Sequence, residues 1–238
     1  MNDRTALVTG ANKGIGKHIA RLLAAEGFGV YVSSRDAGRG RRAVEEIGGA
    51  ARLLVLDVTD PDSIAVAAEQ VGRLDVLVNN AGLSASLAPP TETGTDDFRR
   101  TYETNVFGVV AVTNAFLPAL RRSPHPRIVN VSSGTGSLTW STTPNPQFAP
   151  GSGGGGAYRS SKAALNALTV LYSQTLAEEG FKINALAPGL RATDLNPRAA
   201  SADGDPAEAA QGAVRLALLP DAGPTGGFFS WDGTPVPW

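Results

Sequence analysis

Short apolar runs alternate with longer stretches of helical periodicity along the whole chain, and that alternation constrains the fold more than any other feature. Strands are expected at residues 5–9, 28–33, 52–57, 74–79, 127–133, 181–187 and 227–230. Helices are expected at 15–26, around 44–47, from Pro61, at 95–121, at 156–179 and at 206–219. Pro61 suits a first helical turn, Thr95 is an expected N-cap, and Gly180 an expected stop. Strands separated by helices must run parallel and be covered on both faces. The expected fold class is therefore α/β, a doubly wound parallel sheet in a single domain. The 238 residues suit one such domain, which buries roughly 70–75% of its unfolded surface. In sheets of this kind ligands bind beyond the carboxyl ends of the strands.

Composition removes several chemistries. There is no cysteine, so disulfides, thiolate metal sites and thiol nucleophiles are excluded. Two histidines, His18 on an expected helix and His125 in a Ser-Pro-His-Pro turn, cannot build a histidine-rich metal centre. A net charge of −1 gives no footprint for nucleic acid. No apolar run approaches the ~20 residues of a membrane span. With a first strand expected from about Arg4, no room is left for a signal peptide, and a cytoplasmic protein is expected.

Three motifs carry chemistry. Gly10-Ala11-Asn12-Lys13-Gly14-Ile15-Gly16 lies between an expected strand and helix. Its glycines let the backbone turn tightly and approach a pyrophosphate, while the helix N-terminus supplies N–H donors. Asn79-Asn80-Ala81-Gly82 ends the fourth expected strand. Tyr158 and Lys162 stand four apart, on one face of an expected helix. There an ammonium can stabilise a phenolate, and lowering a tyrosine by ~3 pH units takes ~4 kcal/mol. Alone, such a pair reads first as a core tyrosine beside a surface lysine.

Together these motifs, in this order, resemble the short-chain dehydrogenase/reductase family. The resemblance runs from Thr5 to about Gly227. Asn12-Lys13-Gly14-Ile15-Gly16, Ser34-Arg35-Asp36 and the long loop before Tyr158 look most like its carbonyl-reductase-like branch. The resemblance implies a Rossmann-type fold and four catalytic positions. Ser133 would hydrogen-bond the substrate oxygen. Tyr158 would give or take the proton. Lys162 would lower the tyrosine pKa and bind the nicotinamide ribose, and Asn105 would hold a relay water. By pleat alternation Ser132 and Ser133 are expected to face opposite sides of the sheet. Gly10, Asn12, Lys13, Gly14, Ile15, Gly16, Val58, Ala81 and Gly82 would border a dinucleotide. Asp57 would contact adenine, with a loop cap as the other reading. Asn79 would border the ribose while stabilising the sheet. Pro188, Gly189 and Thr193 would lie near the nicotinamide, Thr193 being alternatively a helix cap.

Charge bears on which dinucleotide. NAD sites use an acid about 20 residues past the glycine loop. Counting points to Asp36, but the family's position for that acid is Ser34, which is neutral and followed by Arg35. Arg35 and Lys13 could clamp a 2′-phosphate, with Arg39 a further candidate, so NADP(H) is the expected cofactor. Arg41 and Arg42 read as a solvated helix face.

Two segments depart from the regular pattern. Ser133 and Tyr158 are separated by a Gly-, Ser- and Pro-rich insertion, 134–156, that is longer than usual in the family. A flexible surface loop and a substrate lid are equally compatible with it, with Trp140 and Phe148 its apolar contacts. Residues 190–206 are expected to cover the substrate, and the aromatic tail from Phe228 to Trp238 to pack on the core. The expected activity is reduction of a ketone or aldehyde with NADPH. Alternatives are an alcohol, sugar or steroid dehydrogenase working oxidatively, or a non-catalytic NADP-sensing protein. The expected partner is a small-molecule carbonyl or alcohol, and a monomer and a homo-oligomer both remain open.

Overall fold

The computed structural model describes residues 4–145, 147–148 and 153–238. β1 (Thr5–Val8) leads through the glycine loop into α1 (Gly14–Ala25), then β2 (Gly29–Ser34), α2 (Ala37–Ile47), β3 (Ala51–Val55) and α3 (Pro61–Glu69). β4 (Val76–Asn79) is followed by α4 (Thr95–Tyr102) and α5 (Gly108–Leu120). β5 (Arg127–Val131), α6 (Leu138–Thr142), α7 (Gly156–Thr175) and β6 (Lys182–Ala187) come next. The short α8 (Pro197–Ala200), α9 (Pro206–Ala217) and β7 (Phe228–Ser230) complete the order.

The seven strands form one sheet in the order β3-β2-β1-β4-β5-β6-β7, and every pairing is parallel. Chain order reverses between β1 and β4, which opens a crevice at their carboxyl ends. The period of two along each strand sorts the core into two layers. Ala6, Val8, Val30, Val32, Val76 and Val78 pack with Ile19 and Leu23 of α1 and Ala213 of α9. Leu7, Leu54, Leu77, Ile128 and Ile183 point the other way, against Ile64 of α3 and Phe116 and Leu120 of α5. Each strand is thus apolar on both faces, as a doubly covered parallel sheet requires.

Several element ends differ from the sequence expectation. α2 begins at Ala37 because Asp36 caps it, its carboxylate accepting from Arg39 N. Gly94, not Thr95, is the N-cap of α4. The expected single helix 95–121 is interrupted by a π-turn at Glu103–Phe107. β5 stops at Val131. Gly180 terminates its segment in the left-handed region, as expected.

The insertion is not a bare loop where it is described. A 3-10 turn at Gly134–Gly136 leads into α6, whose N-cap is Ser137. Trp140 is buried with Ala185, Ala187, Phe228 and Val236 and meets Phe148 edge-on at 6.5 Å. The tail locks this assembly. Ser137 Oγ donates to Pro237 O at 2.6 Å, Thr139 Oγ1 to Trp238 O at 2.8 Å, and Trp238 stacks on Phe228 at 5.3 Å. Residues 151 and 152 of the glycine run lie outside the described residues.

Candidate active site

A cleft of about 390 Å³ opens at the β1/β4 crossover. Its floor is the glycine loop. Gly10 and Gly14 have φ of 61° and 54°, the left-handed region that suits glycine. A Cβ at Gly10 would come within 3.1 Å of the Ala81 backbone, and one at Gly16 would strike Asn80 Nδ2 and lie 2.8 Å from Gly10 O. The loop is therefore packed against the strand-end Asn79–Gly82 turn. Asn80 fixes that packing, donating through Nδ2 to Thr9 O at 2.9 Å, while Thr9 Oγ1 accepts from the backbone N–H of Asn80 and of Ala81.

Most of the dinucleotide positions expected from the sequence line this one cleft: Gly10, Asn12, Lys13, Gly14, Ile15, Gly16, Arg35, Asp57, Val58, Ala81, Gly82, Pro188 and Thr193, with Tyr158 and Lys162 at its end. Asn79 and Gly189 do not. Asn79 is buried within the sheet, donating to Asn130 Oδ1 and Thr113 Oγ1, because as the last residue of β4 it faces α5. Its neighbour Asn80 takes the place on the cleft. Gly189 turns the chain beneath Trp231 with φ of 72°. Leu83, Leu195, Thr104 and Asp194 also line the cleft. Nothing in their spacing marks them, since long-range loop packing brings them in.

The charges near the expected adenosine end stand close to Ser34 in the chain. Ser34 Oγ and the Asp36 backbone bond each other, and the Asp36 carboxylate turns away to cap α2 and meet Arg39 at 3.4 Å. Arg39 is thereby paired outside the cleft. Arg35 lines the cleft and makes no ion pair among the described residues. Asp57 is part-buried, which raises its pKa. Its hydrogen bonds from Thr59 N and Oγ1 outweigh that, with Arg35 adding to them, and the carboxyl is held below its usual value.

At the other end, β5 and α7 bring the catalytic candidates together. Lys162 is almost fully buried, and its Nζ donates to Val131 O at 2.8 Å, 5.7 Å from the Tyr158 ring centre. Tyr158 keeps part of its surface open to the cleft, and its phenol engages the Ser133 hydroxyl. Burial pushes the Tyr158 phenol up to about 12, against a smaller lowering by Ser133. Burial also lowers Lys162 to about 8. The lowering of tyrosine by lysine expected from the sequence is thus not realised in the protein alone, because desolvation dominates both groups.

Ser132 and Ser133 do not face opposite sides as pleat alternation suggested. The strand ends before them, and both hydroxyls reach α7. Ser132 Oγ donates to Asn166 Oδ1 at 2.6 Å, whereas Ser133 reaches Tyr158 and Thr135. Asn105, in the π-turn, uses both amide hydrogens on Leu83 O and Ser161 Oγ, and its Oδ1 accepts from Leu83 N. Its side chain therefore ties the cleft wall to α7 rather than standing free for a water. A π-turn at this place leaves the regular carbonyl ladder broken beside the cleft.

The family profile described as short chain dehydrogenase matches residues 4–204. A salutaridine reductase from Papaver bracteatum is 33% identical, with 95% of this chain and 94% of the relative covered. A (-)-isopiperitenone reductase from Mentha piperita is 35% identical, with 97% of each covered. These alignments run over 295 and 315 positions, so both relatives carry internal segments with no counterpart in this chain. Among solved structures, an NADPH-bound carbonyl reductase from chicken fatty liver superposes with a TM-score of 0.84, at 29% identity over 100% of both chains.

Proposed function

As this chain belongs to the short-chain dehydrogenase/reductase family, we propose that it is a reductase that binds NADPH in the cleft and converts a ketone or aldehyde to the alcohol. The observation that carries this reading is the meeting of Tyr158 and the buried Lys162 at the end of the cleft that the glycine loop begins, with the Ser133 hydroxyl against the Tyr158 phenol. The cofactor would fit that cleft: Gly10, Gly14, Gly16 and Gly82 line it without side chains, the N-terminus of α1 opens into it, and Lys13 and Arg35 stand on its rim. Lys13 and Arg35 would hold the 2′-phosphate, Asp57 the adenine end, and Lys162 the nicotinamide ribose. Asp36 is spent on α2 and leaves no acid at the Ser34 position to favour the unphosphorylated ribose. The NADPH-bound neighbour and the two reductase relatives support the same choice.

When bound, the cofactor supplies a hydride to the carbonyl carbon. The Ser133 hydroxyl donates a hydrogen bond to the carbonyl oxygen and holds it beside Tyr158. With a pKa of about 12, Tyr158 is fully protonated at neutral pH. It gives its proton to the oxygen as alkoxide character develops there, a stronger base than the phenolate left behind. The Lys162 ammonium, held by Val131 O, stabilises that phenolate. A relay water would sit on the Asn105 main chain, because both hydrogens of the Asn105 amide are engaged. The insertion at 134–156 and the segment 190–206 would shape the substrate side. No helix among the described residues is long and apolar enough to cross a membrane. The proposed substrate is a small molecule, and the proposed compartment the cytoplasm.

The test is a titration of purified protein with NADPH and NADH, followed by turnover of a ketone and aldehyde panel with each. NADPH is expected to bind about tenfold more tightly or better, as a charge-assisted phosphate clamp allows, and to be oxidised by members of the panel. Equal or inverted preference removes the NADPH assignment, and binding without turnover of any carbonyl removes the reductase assignment.

A further inference from the structure

Lys13 is the N-cap residue of α1, at the positive end of that helix, and no acidic side chain stands in the helix's first turn. A cation in that place is disfavoured by the helix dipole and calls for an anion. The opposite wall of the cleft supplies one. Asp194 Oδ2 lies 3.0 Å from Lys13 Nζ, although the two residues are 181 positions apart. Both side chains line the cleft. Among the described residues neither has another side-chain partner.

The segment carrying Asp194 is anchored at its root and only latched at this point. At the root, the buried Arg191 donates to Pro188 O at 2.8 Å and to Glu208 Oε2 at 2.7 Å. Its guanidinium lies 4.4 Å over the Trp231 ring, and Ala192 N donates to Gly204 O at 2.8 Å. The latch is different in kind: the Lys13 and Asp194 side chains are 57% and 74% exposed. Pairs so exposed are weak and readily exchanged.

We propose that Asp194 is an internal counter-ion for Lys13, which the 2′-phosphate of NADPH must displace, and that Asp194 therefore limits the preference for NADPH over NADH while tying segment 190–206 to the glycine loop. The inference rests on the reading of Lys13 as a phosphate ligand. NADH lacks the phosphate and leaves the pair intact. NADPH takes Lys13 for itself, and Asp194 is released as a free carboxylate near a second anion. The same residue thus opposes the phosphorylated cofactor twice, by occupying its ligand and by like-charge repulsion.

The test is Asp194→Asn, an isosteric change at an exposed side chain that leaves the core untouched. NADPH and NADH dissociation constants are measured for wild type and variant, and for both in a Lys13→Ala background. NADPH affinity is expected to rise about threefold to tenfold at low ionic strength and less at high salt, since exposed charge interactions are modest and screened. NADH affinity is expected to move by less than about twofold, and the NADPH gain to vanish when Lys13 is absent. Without ligand, hydrogen exchange at the amides of Ala192 and Thr193, which donate to Gly204 O and Ala199 O, should be faster in Asp194→Asn than in wild type. An unchanged or weakened NADPH affinity, a gain that persists in the Lys13→Ala background, or unchanged exchange would each overturn the latch. Wild-type protein that binds NADPH no better than NADH is a separate result, which overturns the cofactor reading of Lys13 itself.

Discussion

At the glycine loop, which lines the cleft, position is set by backbone sterics; in the insertion and the tail, it is set by side chains tied to distant backbone. At Gly16 an added methyl would run into Asn80 and the Gly10 carbonyl, so the loop has one way to sit. Trp140, by contrast, is held by Ser137 and Thr139 reaching the last residues of the tail and by the Phe228–Trp238 stack. The first construction suits a ligand whose shape does not vary. The second leaves the frame intact while side chains change, as the proposed role of the insertion in shaping the substrate side requires. Tyr158 and Lys162 stand where the two constructions meet.

The largest expected effect is at that meeting point. Tyr158→Phe removes the proposed proton donor and keeps the ring, so kcat should fall by about 10²–10⁴, the usual contribution of general acid catalysis. The dissociation constant for NADPH should change little. Steady-state kinetics together with a cofactor titration check this, and retained turnover would remove Tyr158 from the mechanism.

Trp140→Ala comes next and separates the two sides directly. Deleting a buried tryptophan costs about 3–5 kcal/mol where the surroundings cannot collapse. Denaturant unfolding should show a loss toward the lower figure, because the cluster around Trp140 is small. KM for the carbonyl substrate should rise while NADPH affinity stays within about twofold, as expected of sites without shared partners. A comparable loss of NADPH affinity would mean that the glycine loop and the insertion form one unit.

What the sequence made legible divides along the same line. Strand and helix order could be read because strands buried on both faces are short continuous apolar runs, set between stretches of helical periodicity. The glycine loop could be read because its geometry demands residues without Cβ at Gly10 and Gly14. Doublets were harder. Asn79 and Asn80 straddle a strand end, and Ser132 and Ser133 follow one, where pleat alternation lapses and the local turn decides which side chain enters the cleft. The helical turns of the insertion and the Lys13–Asp194 pair were not legible, since they depend on contacts between segments far apart in the chain. The perturbed Tyr158 and Lys162 could not be foreseen either, because spacing fixes which groups are neighbours but not how much protein surrounds them.

That burial yields a pH prediction. Lys162 is lowered from 10.5 to about 8 by desolvation. Below pH 8 both folded and unfolded chains carry the ammonium, and the folded chain bears the cost of burying it. Between pH 8 and 10.5 the unfolded chain binds a proton that the folded chain does not, so this group's contribution to stability rises with pH. Lys162→Met avoids the cost but leaves Val131 O without its donor. The variant should be more stable than wild type at pH 7, by about 1–3 kcal/mol, and the gap should narrow toward about pH 10. Denaturant unfolding of both proteins across that range measures it. A gap independent of pH would place the Lys162 pKa at its ordinary value and weaken its link to Tyr158.

The smallest expected effect lies wholly on the cofactor side and concerns Asp36. Its distance from the glycine loop suits a ribose-binding acid, yet its Oδ1 accepts from Arg39 N at 2.8 Å and its own N–H is held by Ser34 Oγ. Asp36→Ala should therefore behave as the loss of a helix cap, lowering Tm by about 2–4 °C. The ratio of NADPH to NADH affinity should stay where it was. A ratio that moved strongly toward NADPH would show that the Asp36 carboxylate leaves α2 when a dinucleotide binds, and that this side of the cleft rearranges after all. An unchanged ratio leaves the proposed assignment of the phosphate to Lys13 and Arg35 standing, with the neutral Ser34 lining the cleft where an acid would oppose it.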